Sequence, residues 1–86
     1  MNEQRVLEEL LGLLEGAGVQ VRSEPLGGGG GGLCHLKGES IFFVDTQSSS
    51  ADNAVRCAEA VAKTMDTEAI YITPAVRQFI EKHGGA

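Results

Sequence analysis

The sequence has 86 residues, of which 42% are hydrophobic and 22% charged, and its 7 basic and 12 acidic side chains give a net charge of −5 at pH 7. A chain of this length predicts one domain over residues 1–86, and the balance of apolar and charged residues argues against disorder. The basic residues are scattered along an acidic chain, so neither nucleic acid nor an anionic membrane surface is an expected partner.

The N-terminal sequence MNEQR lacks the basic segment of a secretory signal, and no apolar run in the sequence is long enough to span a bilayer. We therefore expect a cytoplasmic protein. In that compartment Cys34 and Cys57 are expected to be free thiols rather than a disulfide.

The chain begins with a predicted amphipathic helix. Apolar residues recur at helical spacing from Glu3 to Ala17, with Asn2 as the expected cap and Gly18 as the expected stop. The next segment, Val19–Ser23, alternates apolar and polar residues, which predicts a half-buried or edge strand.

Two further strands are predicted after a run of glycines. Residues 33–37 and 40–45 are separated by Gly38-Glu39, a dipeptide that suits a tight hairpin turn. Residues 41–44 are apolar at every position, which predicts a central strand with both faces covered or with one face packed against a partner.

The second half of the chain is mainly helical. Ser49 or Ser50 can cap a helix that extends to about Met65. Residues 69–72 are compatible with a short fourth strand. Thr73 is the expected N-cap of a final helix, with Pro74 at its first position. The predicted fold is α+β: a three-stranded, mostly antiparallel sheet with two to three packed helices, in the order α-β-β-β-α-α.

The apolar positions of these elements define an expected core. Its members are Leu7, Leu10, Leu14, Val19, Val21, Leu36, Phe42, Val44, Val55, Ala58, Val61, Ile72, Val76 and Ile80.

Six consecutive glycines form the flexible loop predicted over residues 27–32. Fixing each glycine costs about 0.5–1 kcal/mol relative to alanine, so we expect either a mobile connector or a partner that orders it. A strand-like segment follows the glycines, which excludes the dinucleotide and Walker phosphate motifs and with them any predicted cofactor. The remaining alternative is an anion-binding concavity at Gly29, Gly30, Gly31 and Gly32.

Cys34 and His35 are the candidate catalytic residues, because a thiol after a flexible loop could act as a nucleophile. His35, His83 and Asp45 are the candidate bases for such a thiol. In a strand, however, Cys34 and His35 point to opposite faces, and Cys34 shares its face with Leu36, as a buried structural cysteine would.

No metal site is predicted. The two cysteines and two histidines have the right ligand types for zinc, but their spacing fits no recognised pattern, so a zinc-stabilised domain is only a third hypothesis. Asp45, Asp52 and Glu59 are isolated carboxylates and are expected to be solvated charges.

Three segments carry a resemblance to known proteins. Gly31–Gly38 (GGLCHLKG), Ile41–Asp45 and Ile70–Arg77 resemble a group of short bacterial proteins of uncharacterised function, over most of the chain. The order of helix, hairpin and helix also resembles the core of small zinc metallopeptidases of the ImmA/IrrE kind. Their helix after the hairpin carries His-Glu-x-x-His, whereas Val55–Val61 reads VRCAEAV, so this resemblance implies a non-catalytic relative.

Two functional hypotheses follow. The first is a small non-enzymatic binding or interaction module, with a protein partner or self-association as a homodimer preferred over a small-molecule ligand, because a small domain has little area to cover both faces of an apolar strand. The second is a small cytosolic thiol-dependent enzyme or redox protein that uses Cys34.

Overall fold

The computed structural model describes residues 2–84 and has three helices and three strands. In chain order the elements are α1 (Glu3–Gly16), β1 (Gln20–Glu24), β2 (Gly32–Leu36), β3 (Glu39–Asp45), α2 (Ser50–Thr64) and α3 (Pro74–His83). The α+β class and the order α-β-β-β-α-α are thereby confirmed. Residues 69–72 form an irregular connection between α2 and α3 instead of a fourth strand, because α3 packs on the other helices and away from the sheet.

The sheet has the strand order β1-β3-β2, so β3 is the central strand, as predicted. β2 pairs antiparallel with β3, with Cys34 opposite Ile41, and β1 pairs parallel with β3. The turn between β2 and β3 consists of Lys37 and Gly38, one residue earlier than predicted. Their φ angles of 52° and 81° are both positive, which a type I′ hairpin turn requires.

The helices cover one face of the sheet. α1 and α2 pack directly on the strands, and α3 packs on α1 and α2. Phe42 and Val44 of β3 point into the core between the layers. The buried apolar residues are Val6, Leu7, Leu10, Leu14, Val19, Ile41, Phe42, Val44, Ala54, Cys57, Ala58, Ala60, Val61, Ile72, Val76 and Ile80.

Two residues predicted for the core are not buried in it. Leu36 is 59% exposed, because it lies on the sheet face that none of the three described helices covers, and Val55 is only half-buried. Val21 is also half-buried, but it packs against the core.

Two of the predicted helix caps make their hydrogen bonds, whereas Thr73 precedes α3 without a side-chain cap hydrogen bond. The Asn2 side chain accepts a hydrogen bond from the Arg5 N–H at 2.9 Å, and the Ser49 hydroxyl accepts one from the Asp52 N–H at 3.0 Å. Among residues 2–84, no helix combines the length and the apolar character needed to cross a membrane.

Candidate functional site

The end of the central strand carries a buried carboxylate. Asp45 is the last residue of β3 and is completely buried. The chain from Pro25 to Gly31 crosses over this end of β3, because β1 and β2 lie on either side of it. The prediction that Asp45 is a solvated charge is therefore wrong.

Four donors surround the Asp45 carboxylate. Its Oδ1 accepts hydrogen bonds of 2.9 Å from the N–H groups of Leu26 and Gln47. Its Oδ2 accepts bonds of 3.0 Å from the N–H of Gly30 and from the hydroxyl of Ser48. The glycine loop thus presents one N–H group, that of Gly30, to an anion, and that anion belongs to the protein itself.

These contacts govern the pKa of the Asp45 carboxyl. Burial raises this pKa, but the hydrogen bonds from Leu26, Gln47, Gly30 and Ser48 lower it by more, so it lies well below the ordinary value of 3.8. The carboxylate is therefore ionised at neutral pH. With both oxygens engaged by donors, it does not have the arrangement of a general base for Cys34.

Asn53 of α2 fixes the backbone of Asp45. The Asn53 side-chain oxygen accepts a hydrogen bond from the Asp45 N–H at 3.1 Å, and its amide group donates to the Asp45 carbonyl at 2.9 Å. Asn53 is only 3% exposed. It was not among the residues predicted to matter, although a polar residue among the alanines of α2, one turn after the cap, was a usable signal.

Gly31 is required by close approach to backbone, and Gly30 by its backbone conformation. A Cβ at Gly31 would overlap the carbonyl oxygen of Phe43, and one at Gly30 would overlap the Arg56 guanidinium. Gly30 also has a φ of 88°, a value that residues other than glycine rarely adopt. The Arg56 guanidinium donates to the Gly29 carbonyl at 3.4 Å.

The glycines proposed to bind an anion therefore lie beside an internal one. Of Gly29, Gly30, Gly31 and Gly32, the N–H of Gly30 is already bound to Asp45. Binding of an external anion at these glycines stays a prediction, as does the flexibility of the loop over residues 27–32.

Cys34 and His35 point to opposite faces of the sheet. Cys34 is exposed and lines a groove with Phe43 on the face opposite the helices. The Nδ1 of His35 lies 3.0 Å from the Ser40 hydroxyl, and His35 lines a cleft between β2 and α2. His83 lies at the end of α3, which does not contact the sheet, so it is not placed as a base for Cys34.

The candidate zinc ligands are not brought together. Cys57 is fully buried in α2, and this burial raises the pKa of its thiol to about 12. Within the described part of the chain, no three His, Cys, Asp or Glu side chains are close enough to hold a metal ion. Cys34 and Cys57 are both free thiols.

The outer face is the sheet surface opposite the helices, and its centre is apolar. The strand register places Ile41 and Phe43 of β3 beside Cys34 and Leu36 of β2 on this face. Leu26, which is 41% exposed, borders the same surface. Between Leu26, Cys34 and Phe43 lies an open groove of about 480 Å³.

Charged side chains border the outer face along β1. The Arg22 guanidinium pairs with the Glu24 carboxylate at 2.9 Å and lies 5.9 Å from the centre of the Phe43 ring. Both charged side chains are partly exposed. The outer face therefore combines an apolar centre with a polar border.

Comparison of the chain with protein-family models, curated protein sequences and solved structures finds no match. The resemblances to short bacterial proteins and to the ImmA/IrrE core stay predictions.

Proposed function

We propose that the protein is a small non-enzymatic interaction module whose contact surface is the outer face of the sheet. The observation that carries this proposal is the two-sided apolar character of β3. Phe42 lies in the core under the helices, whereas its neighbour Phe43 lies on a face that none of the three described helices covers. Ile41 on this face is only 7% exposed, but Leu26 and Leu36 are exposed, and exposed apolar side chains on one face are typical of binding sites.

The chemistry of the outer face suits a protein partner. Leu26 and Leu36 are large apolar side chains that remain 41% and 59% exposed. The Arg22–Glu24 ion pair lies at the border, so the surface has the apolar centre and polar rim of protein interfaces. A partner side chain of apolar type would fit the groove beside Phe43.

The surroundings of Cys34 support binding over catalysis. A reactive thiolate is favoured by a neighbouring cation or base. The groove that contains Cys34 is lined by one charged residue, the acidic Glu24, together with apolar residues and glycines. The Asp45 carboxylate is occupied by its four donors.

Site-specific photo-crosslinking in cells tests the proposal. A benzoylphenylalanine at Leu36 should yield discrete adducts with another protein, and the same probe at Tyr71, which is 82% exposed but lies in the connection between α2 and α3, should not. Leu26→Lys should remove the Leu36 adducts while leaving the circular dichroism spectrum unchanged. Equal adducts at both positions, or none at Leu36, would overturn the proposal.

A further inference from the structure

The two edge strands, β1 and β2, differ in how well they are protected against pairing with a strand of another chain. β1 carries the Arg22–Glu24 ion pair and is followed at once by Pro25, and charges and proline are typical protection for an edge strand. β2 has the sequence GLCHL, with no Lys, Arg, Asp, Glu or Pro. Neither α1 nor α3 contacts β2 within residues 2–84. The edge of β2 is thus open and uncharged.

The hairpin register identifies the free backbone groups of this edge. Across the two-residue turn, Leu36 lies opposite Glu39, and Cys34 lies opposite Ile41. Hydrogen-bonded pairs alternate along an antiparallel ladder, so Leu33 and His35 direct their N–H and C=O groups away from β3. Leu33 and His35, the two neighbours of Cys34, therefore present two N–H and two C=O groups at the open edge.

Helix α2 lies beside the same edge and carries an alternating stripe of charge. The four residues of this stripe, Asp52, Arg56, Glu59 and Lys63, are exposed and follow one another at helical spacing. Arg56, Glu59 and Lys63 line a cleft with β2, and Asp52 lines an adjoining cleft with Arg56 and Glu59. The order of charges is negative, positive, negative, positive. In the described part of the chain, none of the four forms an ion pair with another side chain.

We propose that a second copy of the chain pairs with this edge, with β2 antiparallel to β2 about a two-fold axis at Cys34. Leu33 of each copy then faces His35 of the other, which satisfies all four outward backbone groups on each copy. This inference rests on the proposed interaction function, because pairing joins the two outer faces into one six-stranded surface.

The charge pattern of α2 supports a second copy as the occupant. A two-fold axis perpendicular to the sheet makes the two α2 helices antiparallel. In that orientation Arg56 faces Glu59 of the second copy and Asp52 faces its Lys63, so the stripe is self-complementary although the whole chain has a net charge of −5.

Charge reversal with complementation tests the pairing by sedimentation equilibrium. Arg56→Glu and Glu59→Arg should each weaken the wild-type dimer by about 10-fold or more, because each places like charges opposite one another. An equimolar mixture of the two variants should recover a heterodimer, since each Glu then faces an Arg. Lys82→Glu on α3 is the matched control and should dimerise like the wild type.

Lys63→Glu provides a second variant that does not touch the glycine loop, which Arg56 contacts. It should also weaken the dimer, and Asp52→Lys should complement it. A monomeric wild type at high micromolar concentration, or a dimer unaffected by all four reversals, would overturn the inference.

Thiol oxidation gives an independent measurement. Opposed residues of a non-hydrogen-bonded antiparallel pair have Cα atoms about 4.5 Å apart, within the range of a disulfide. Diamide should therefore join the two Cys34 thiols: one S–S bond forms, and the two protons and two electrons released reduce diamide to its hydrazine. Cys34→Ala should abolish the covalent dimer. A dimer whose Cys34 thiols do not cross-link under diamide would contradict the proposed register.

Different experimental outcomes would overturn the pairing and the proposed interaction function. A monomer whose Leu36 probe still cross-links to another protein would overturn the pairing and leave the interaction function standing. A charge-sensitive dimer whose outer face forms no adduct with another protein would support the pairing and count against the outer face as a binding surface.

Discussion

The Asp45 carboxylate accepts a 3.0 Å hydrogen bond from the backbone N–H of Gly30, 15 positions earlier in the chain. This bond connects the middle of the glycine loop to the end of the central strand. The loop therefore depends on a side chain in β3, and Asn53 connects the same residue to α2. Asp45 therefore connects three parts of the fold: its carboxylate binds the glycine loop, and its backbone binds Asn53 of α2.

Asp45→Asn should destabilise the protein strongly. The amide group would place donors opposite the N–H of Gly30 or Leu26, and it would remove the charge that strengthens these bonds. We expect a decrease in Tm of about 8 °C or more, measured by circular dichroism. Glu81→Gln, at an exposed carboxylate of α3, should leave Tm within about 2 °C of the wild type. Equal shifts for the two variants would contradict the proposed role of Asp45.

The Asp45 contribution should depend on pH in a defined direction. Its pKa is lowered in the folded state relative to 3.8, so the folded protein binds the proton less readily than the unfolded chain. The contribution is fully present above about pH 4 and is lost as the pH falls further toward the folded pKa. Urea unfolding of the wild type and Asp45→Asn from pH 7 to pH 3 should show their difference in free energy of unfolding narrowing only at the acidic end. A constant difference would contradict this.

Two neighbouring glycines should respond differently to alanine. Gly31→Ala should destabilise the protein by about 1–3 kcal/mol, because the new Cβ would overlap the Phe43 carbonyl. Gly29→Ala is the matched control: a Cβ there would meet nothing within 4 Å and the φ of Gly29 is outside the left-handed region, so its effect should be within about 1 kcal/mol of zero. Urea unfolding measures both, and equal effects would show that flexibility matters more than close approach.

Much of the fold could be predicted from local signals. Helical spacing and the caps Asn2 and Ser49 located α1 and α2, and the run of apolar residues from Ile41 to Val44 identified the central strand. These signals are contained within a few consecutive residues. The sequence predicts the hairpin turn one residue too late. Lys37 has a φ of 52°, and lysine is not a residue type that favours a positive φ.

The candidate site was harder to predict because it depends on contacts between distant residues. In the sequence, Asp45 resembles an ordinary polar residue at the end of a strand. In the structure it is buried, with donors from the crossing chain and from the turn after β3. Leu36 shares a face with Cys34, as predicted. Whether that face is covered depends on where the helices pack, which a pattern of alternation does not specify.

The two cysteines should differ sharply in reactivity. Cys34 is exposed, whereas Cys57 is fully buried and its thiol pKa is raised to about 12. At pH 8, iodoacetamide should therefore modify Cys34 in the folded protein and reach Cys57 only in denaturant, as measured by peptide mass spectrometry. Cys34→Ala should leave no reactive thiol in the native state. Rapid native modification of Cys57 would show that α2 separates from the sheet far more often than its packing implies.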